Sequence, residues 1–284
     1  MQPRNVWLVG DWDEPCFAPA LAWLETQASV DCFDSLSAAM DGLRSSSPPP
    51  DGLVLCASRP GRVAPEQVAQ FSRREPLARV VQLLGSWCEG EERSGQPIAG
   101  VKRVYWHQWR SQLPLALGLE GTDAAEIYLP RTASDADWLE ASLERRPTDR
   151  RLSVAVVTHR AATYDVLADA LQAGGFTPVW QRPSQPLAAT DAAAILCDGW
   201  LCDVELSTAA ESRQPAKILL LDFPRLEDQQ RAEAAGYFAV VSRPFLLAEL
   251  WATLDAAIAA SESAAPIPTA AKSSATEPTA APSS

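Results

Sequence analysis

Asp198 closes the apolar run Ala193-Ala194-Ile195-Leu196-Cys197. A carboxylate at the end of a buried strand can accept a phosphoryl group or help hold a cation. A lone acid in that place also serves as a cap or loop residue, because a magnesium cage needs several converging oxygens. Asp11 and Asp13 follow a second apolar run, Val6-Trp7-Leu8-Val9. They could bind a cation weakly or form an exposed turn. The six cysteines (Cys16, Cys32, Cys56, Cys88, Cys197, Cys202) contain no CxxC pair, so metal-knuckle spacing is absent. In apolar runs they read as small buried hydrophobes. With two histidines in all, His107 and His159, a His-rich metal site is excluded, and no metal or cofactor is expected. A nucleophile built from Cys56 or Cys88 and His107 would need thiol and imidazole within hydrogen-bond reach. Neither GxGxxG nor GxxxxGK occurs to cradle phosphate. Trp12, Trp87, Trp106 and Trp109 fall near predicted strand ends, where an open α/β sheet presents its ligand-facing edge. They could line a pocket or anchor a partner, or they could plug the core.

The elements that must position these residues are legible as alternating short apolar runs and helical stretches, twice over. In the first half the strands are Val6–Val9, Val30–Phe33, Leu53–Cys56, Val80–Leu84 and Val101–Trp106. Helices are expected over Pro15–Gln27, with Phe17, Leu21 and Leu24 on one face, and over Leu36–Leu43 and Pro65–Arg73. The stretch Trp87–Gly95 has two glycines and no apolar period, so an ordered loop replaces the helix due there. In the second half the strands are Val154–Val157, Thr177–Trp180, Ala193–Cys197, Lys217–Leu221 and Tyr237–Val241. Its helices are Ala162–Ala173, with Val166, Leu167, Ala170 and Leu171 as the apolar stripe, Glu227–Ala235 and Leu246–Ala260. Gly174-Gly175 ends the first of these three.

The resulting fold class is α/β, with two tandem flavodoxin-like, doubly wound five-stranded parallel sheets. The first unit spans residues 1–118 and the second 151–261. Residues 119–150 read as a linker with a short helix, Asp135–Arg145, and the Ser, Ala, Pro and Thr of 262–284 as a disordered tail. A length of 284 residues suits two such domains. The formal net charge of −12 argues against non-specific nucleic-acid binding and against anionic membranes. No run reaches the ~20 apolar residues of a membrane helix, and the N-terminus does not read as a signal peptide. The protein is expected to be cytoplasmic.

Residues 151–260 resemble the receiver domain of bacterial response regulators. The resemblance rests on Gly236-Tyr237-Phe238-Ala239-Val240-Val241-Ser242-Arg243-Pro244-Phe245, followed by Leu247, Glu249 and Leu250. That segment is similar to the family's Gly-Ala-x-x-Tyr-hydrophobic-x-Lys-Pro-Phe pattern. The first half resembles it more loosely, through Asn5–Asp13 and Pro50–Cys56 with Pro60-Gly61 beyond. The resemblance implies phosphoryl transfer to an aspartate after the third strand. It also implies magnesium on two acids after the first strand, a Ser or Thr after the fourth and a Lys after the fifth. In the second unit the acidic pair falls on Thr158 and His159, the acceptor on Asp198, the hydroxyl position on Asp222, and the lysine position on Arg243. In the first unit Gly10 and Asp11 take the acidic pair, with Asp13 close by. Cys56 or Ala57 takes the acceptor position, Ser86 the hydroxyl and His107 the lysine. Neither unit has the full set.

The resemblance, less its missing parts, implies a signalling or regulatory protein that binds a protein partner, such as a histidine kinase, without phosphotransfer and without enzymatic activity. Two alternatives stand beside it. One is a response regulator phosphorylated on Asp198 in a phosphorelay. The other is a small-molecule-binding protein that uses the tryptophan-rich edge of the first unit.

Overall fold

The computed structural model describes residues 4–42, 49–91, 95, 97–119, 137, 140, 152–183, 192–201 and 214–263. The run Gly52–Ala57 is buried along its whole length, as in a strand covered by helices on both faces. It is β3, the middle of a parallel sheet completed by β1 (Asn5–Gly10), β2 (Ser29–Phe33), β4 (Arg79–Leu84) and β5 (Lys102–Tyr105). The strand order is β2-β1-β3-β4-β5. Side chains alternate across the pleat. Val6, Leu8, Val54, Val81 and Leu83 pack on one face beneath α1 (Ala18–Gln27) and α4 (Trp109–Leu117). Trp7, Val9, Leu53, Leu55 and Val80 pack on the other beneath α2 (Leu36–Gly42) and α3 (Pro65–Arg74).

The second unit repeats the plan with β6 (Ser153–Val157), β7 (Thr177–Gln181), β8 (Ala194–Asp198), β9 (Ala216–Asp222) and β10 (Tyr237–Arg243), again all parallel. Its order is β7-β6-β8-β9-β10. Both sheets therefore read 2-1-3-4-5, the flavodoxin-like doubly wound order expected from the sequence. α5 (Ala161–Ala173) and α7 (Leu247–Ser263) cover one face, and α6 (Leu226–Ala234) packs beside β10.

Several expectations need correction. α4 was not foreseen; Pro114 lies inside it, where the missing N–H and the ring oppose a helix. Tertiary packing of Trp109, Leu113 and Leu117 overrides that penalty. α1 begins at Ala18 rather than Pro15, because Trp12–Phe17 form turns closed by Glu14 N–H to the Asp11 carbonyl and Phe17 N–H to the Glu14 carbonyl, with Cys16 and Phe17 buried. α7 continues to Ser263, past the expected Ala260. On α5, Val166 is exposed and Ala168 takes its place in the buried stripe. Ser86–Cys88 forms a 3-10 turn within the expected loop. Cys197 is disulfide-bonded rather than a free thiol. The linker helix falls outside the described residues except Asp137 and Glu140, as does the tail beyond Ser263. No described helix is long and apolar enough to cross a membrane.

The turn after β1 aims Asp11 at the sheet's carboxyl edge, and Gly10 makes that turn with φ +104°. A Cβ at Gly10 would meet the Cys56 carbonyl oxygen at 2.5 Å, while Asp11 N donates to that same oxygen at 3.0 Å. Gly10→Ala is expected to destabilise the fold by about 2 kcal/mol or more through strain and displacement of β3. Urea denaturation of the variant beside the wild type measures it.

Candidate functional site

In the second unit the carboxyl ends of β6, β8, β9 and β10 bring together Thr158, Asp198, Asp222 and Arg243. Parallel pairing sets Arg243 beside Asp222 across β10 and β9, while Asp198 on β8 pairs with Leu220, two residues before Asp222. Thr158 Oγ1 donates to Asp198 Oδ2 at 2.8 Å, and Arg243 Nη1 donates to Asp198 Oδ1 at 2.5 Å. Arg243 Nε lies 2.9 Å from Asp222 Oδ1 as an ion pair rather than a hydrogen bond. Both oxygens of the half-buried Asp198 are therefore engaged by the protein, and one guanidinium spans two carboxylates. Thr158 is fully buried and is held further by Arg160 N–H, which donates to its Oγ1 at 3.2 Å. His159, the other residue of the expected acidic pair, is exposed and is no part of this cluster.

The first unit uses different residues for the same end. Asp11 Oδ2 accepts from Ser58 Oγ at 2.5 Å and from Ser58 N at 3.1 Å. Arg62, in the loop after β3, forks onto both oxygens of Asp11, through Nε at 3.0 and 3.1 Å and through Nη2. The guanidinium and the Ser58 donors favour the charged carboxylate and outweigh its partial desolvation, holding Asp11 at about 2. Asp13 is exposed and outside this cluster. Cys56 is buried among Leu8, Val54 and Val81, where desolvation pushes its thiol strongly up. Cys88 donates to the Ala57 carbonyl at 3.4 Å, and burial pushes it up to about 11. Neither thiol has the lowered pKa of a nucleophile. Ser86 is half-buried at the head of the 3-10 turn.

The four tryptophans separate. Trp106 is 0% exposed, and its Nε1 donates to Glu89 Oε1 at 2.8 Å. Trp109 is buried against Trp23, with ring centroids 5.8 Å apart, and half-buried Trp12 leans on the same core. These three pack the unit rather than line an open surface, since large rings gain most by leaving water. Trp87 alone of the four stands out, 75% exposed, with the Arg59 guanidinium 5.8 Å above its ring. His107 is a core residue as well, edge-on to Trp106 at 5.5 Å.

Ser58 and Arg62 were not foreseen as site residues. The signal for Arg62 was its place just after Pro60-Gly61, a turn that returns the chain toward β1, with Gly61 at φ +75°. Ser58 directly follows β3 and was passed over because the acceptor position was read at Cys56 or Ala57. Among the described residues, no group of three or more His, Cys, Asp or Glu side chains is placed to hold a metal ion.

No family model matches the chain, and no curated protein matches it. Among solved structures it is similar to two proteins described as two-component system response regulator/GGDEF domain proteins. Each is 16% identical, with 91% of this chain and 99% of that chain covered, at TM-scores of 0.34 and 0.35. It is also similar to tagatose-6-phosphate ketose/aldose isomerase from Escherichia coli, at 14% identity and a TM-score of 0.22, over 92% of this chain and 82% of that one. The receiver-like fold rests on the two parallel sheets and their strand order.

Burial lowers His107 from 6.5 to about 4. Glu89 Oε1 lies 3.6 Å from its Nε2, but that carboxylate is 36% exposed and water weakens its pull. Between these two values the unfolded chain binds a proton that the folded chain refuses, so stability falls as pH drops from 6.5 toward 4. The expected loss across that window is about 3 kcal/mol. Denaturation curves of wild type and His107→Leu over pH 4–7 check it: the variant's slope should be flatter by that amount.

Proposed function

We propose that this chain is a signalling or regulatory binding protein made of two receiver-type units that work without phosphotransfer and without catalysis. The observation that carries this reading is the closed cluster at Asp198. Aspartyl phosphate formation requires a divalent ion with octahedral oxygen ligands beside the acceptor. Here the acceptor candidate is neutralised by Arg243, neighboured by a second carboxylate at Asp222, and faced by Thr158 where an acid would hold the ion. An arriving phosphoryl group would meet the charge of Asp222 and would have to displace a charge-assisted bond to Arg243. Asp11, the acid best placed in the first unit, is committed to Arg62 in the same way.

Binding falls to the exposed carboxyl edge of the first sheet, where Trp87 and Arg59 present an aromatic ring and a cation together. Trp and Arg are the residue types that dominate protein contacts when a partner covers them. The partner in this reading is a protein of a signalling system, such as a histidine kinase. The experiment has two arms. Incubation with magnesium and acetyl phosphate should leave the intact mass unchanged, and a phosphoryl adduct mapped to Asp198 would refute the reading. Partner captured from the native cell by wild-type protein should bind Trp87→Ala at least about tenfold more weakly, the scale of a hot-spot residue.

A further inference from the structure

The lateral edge of the second sheet is formed by β10, and an edge strand presents unpaired backbone groups to any chain that can reach them. β10 is also bulged. Tyr237 pairs with Lys217 and Ala239 with Ile218, so Phe238 has no rung of its own in the ladder. Its carbonyl points to Arg110 at the start of α4 in the first unit, and Arg110 Nη1 donates to it at 2.6 Å. The guanidinium lies 5.2 Å from the Trp109 ring and 5.3 Å from the Phe238 ring, with Glu233 Oε1 of α6 at 3.6 Å. A planar cation between two aromatic faces, with a carbonyl and a carboxylate in reach, uses every property that distinguishes Arg from Lys.

Further along α4 the hydroxyls of Ser111 and Thr253 meet at 3.1 Å, both buried, and Leu226 from the head of α6 leans on the first unit's core. His107, Trp109 and Gln229 line a small cavity at this seam, each with a polar atom that lacks a protein partner. The cavity is about 10 Å³, the scale of a single water, which such atoms would hold in place. Parting the units would expose this apolar ground and leave the Phe238 carbonyl and the Arg110 guanidinium without their partners.

We propose that the α6–β10–α7 face of the second unit is a docking surface occupied by α4 of the same chain. Arg110 is its anchor, so that the two sheets move as one body and the β10 edge is closed to a second copy. This inference is independent of whether either unit accepts a phosphoryl group.

The test uses the full chain in solution. In the double variant S111C/T253C, mild oxidation should join the two introduced thiols within one chain, as read by peptide mapping of the monomer fraction. Absence of that link, or its formation only between chains, would overturn the proposal. In a second arm, R110A should uncover the bulged edge and move the chain toward dimers in size-exclusion chromatography with light scattering, while wild type keeps the mass of one chain. A wild type that is already dimeric, and that R110A turns into monomer, would mean that a second copy occupies the face. Should R110A fail to fold, the cysteine pair still decides.

Discussion

A carboxylate drawn in at the end of a parallel sheet must find a counter-charge, and in both units an arginine supplies it. Asp198 meets Arg243 from β10, and Asp11 meets Arg62 from the loop after β3. The two solutions come from different positions in the fold and reach the same electrostatic end. A guanidinium is always charged and can span two acceptors at once, as Arg243 does between Asp198 and Asp222. It therefore competes with any divalent ion for the same oxygens. It also differs from an ion in arriving tethered, so it does not leave when the solution changes.

That exchange of a diffusible charge for a tethered one alters what the edge can report. Where an ion and a phosphoryl group come and go, the surrounding hydroxyl and loops can follow them. Here Thr158 is already bonded to Asp198 and Ser58 is already bonded to Asp11. Each group that could follow a ligand is occupied by the protein itself. For either hydroxyl to follow a ligand, it would first have to break its bond to the carboxylate beside it.

The fold was legible because the central strands are unbroken apolar runs with helix-length spacers between, as in Leu53–Cys56 and Val154–Val157. The failures have local causes. Pro114 hid α4, although Trp109, Leu113 and Leu117 keep four-residue spacing and Gly118 at φ +60° ends it in the usual left-handed cap. Of the site, the line from Thr158 through Asp198 and Asp222 to Arg243 could be read from the sequence, since each residue directly ends or follows a strand. Arg62 could not, because a loop's return path is set by tertiary contacts that leave no period, whereas Ser58 directly follows β3 and was overlooked beside Cys56 and Ala57. The tryptophans misled for a simpler reason. Proximity to a strand end fixes a ring's height along the sheet but not which way it turns, so buried Trp106 and exposed Trp87 looked alike.

The unforeseen helix is also the one that joins the units. α4 is short, carries an internal proline and is flanked by aromatic residues, so alone it would be a poor helix. It is stable because it is packed on both sides. The first sheet buries Trp109, Leu113 and Leu117, while the second unit receives Arg110 and Ser111. Trp109 and Arg110 are adjacent in sequence and so point about 100° apart around the helix. One side chain serves its own core, the next serves the neighbouring sheet, and a single turn of helix thereby belongs to both units. The stripe toward its own core keeps a four-residue spacing, but Arg110 and Ser111, which meet the second unit, are polar and add no period, so composition and periodicity passed over the residues on which the seam rests.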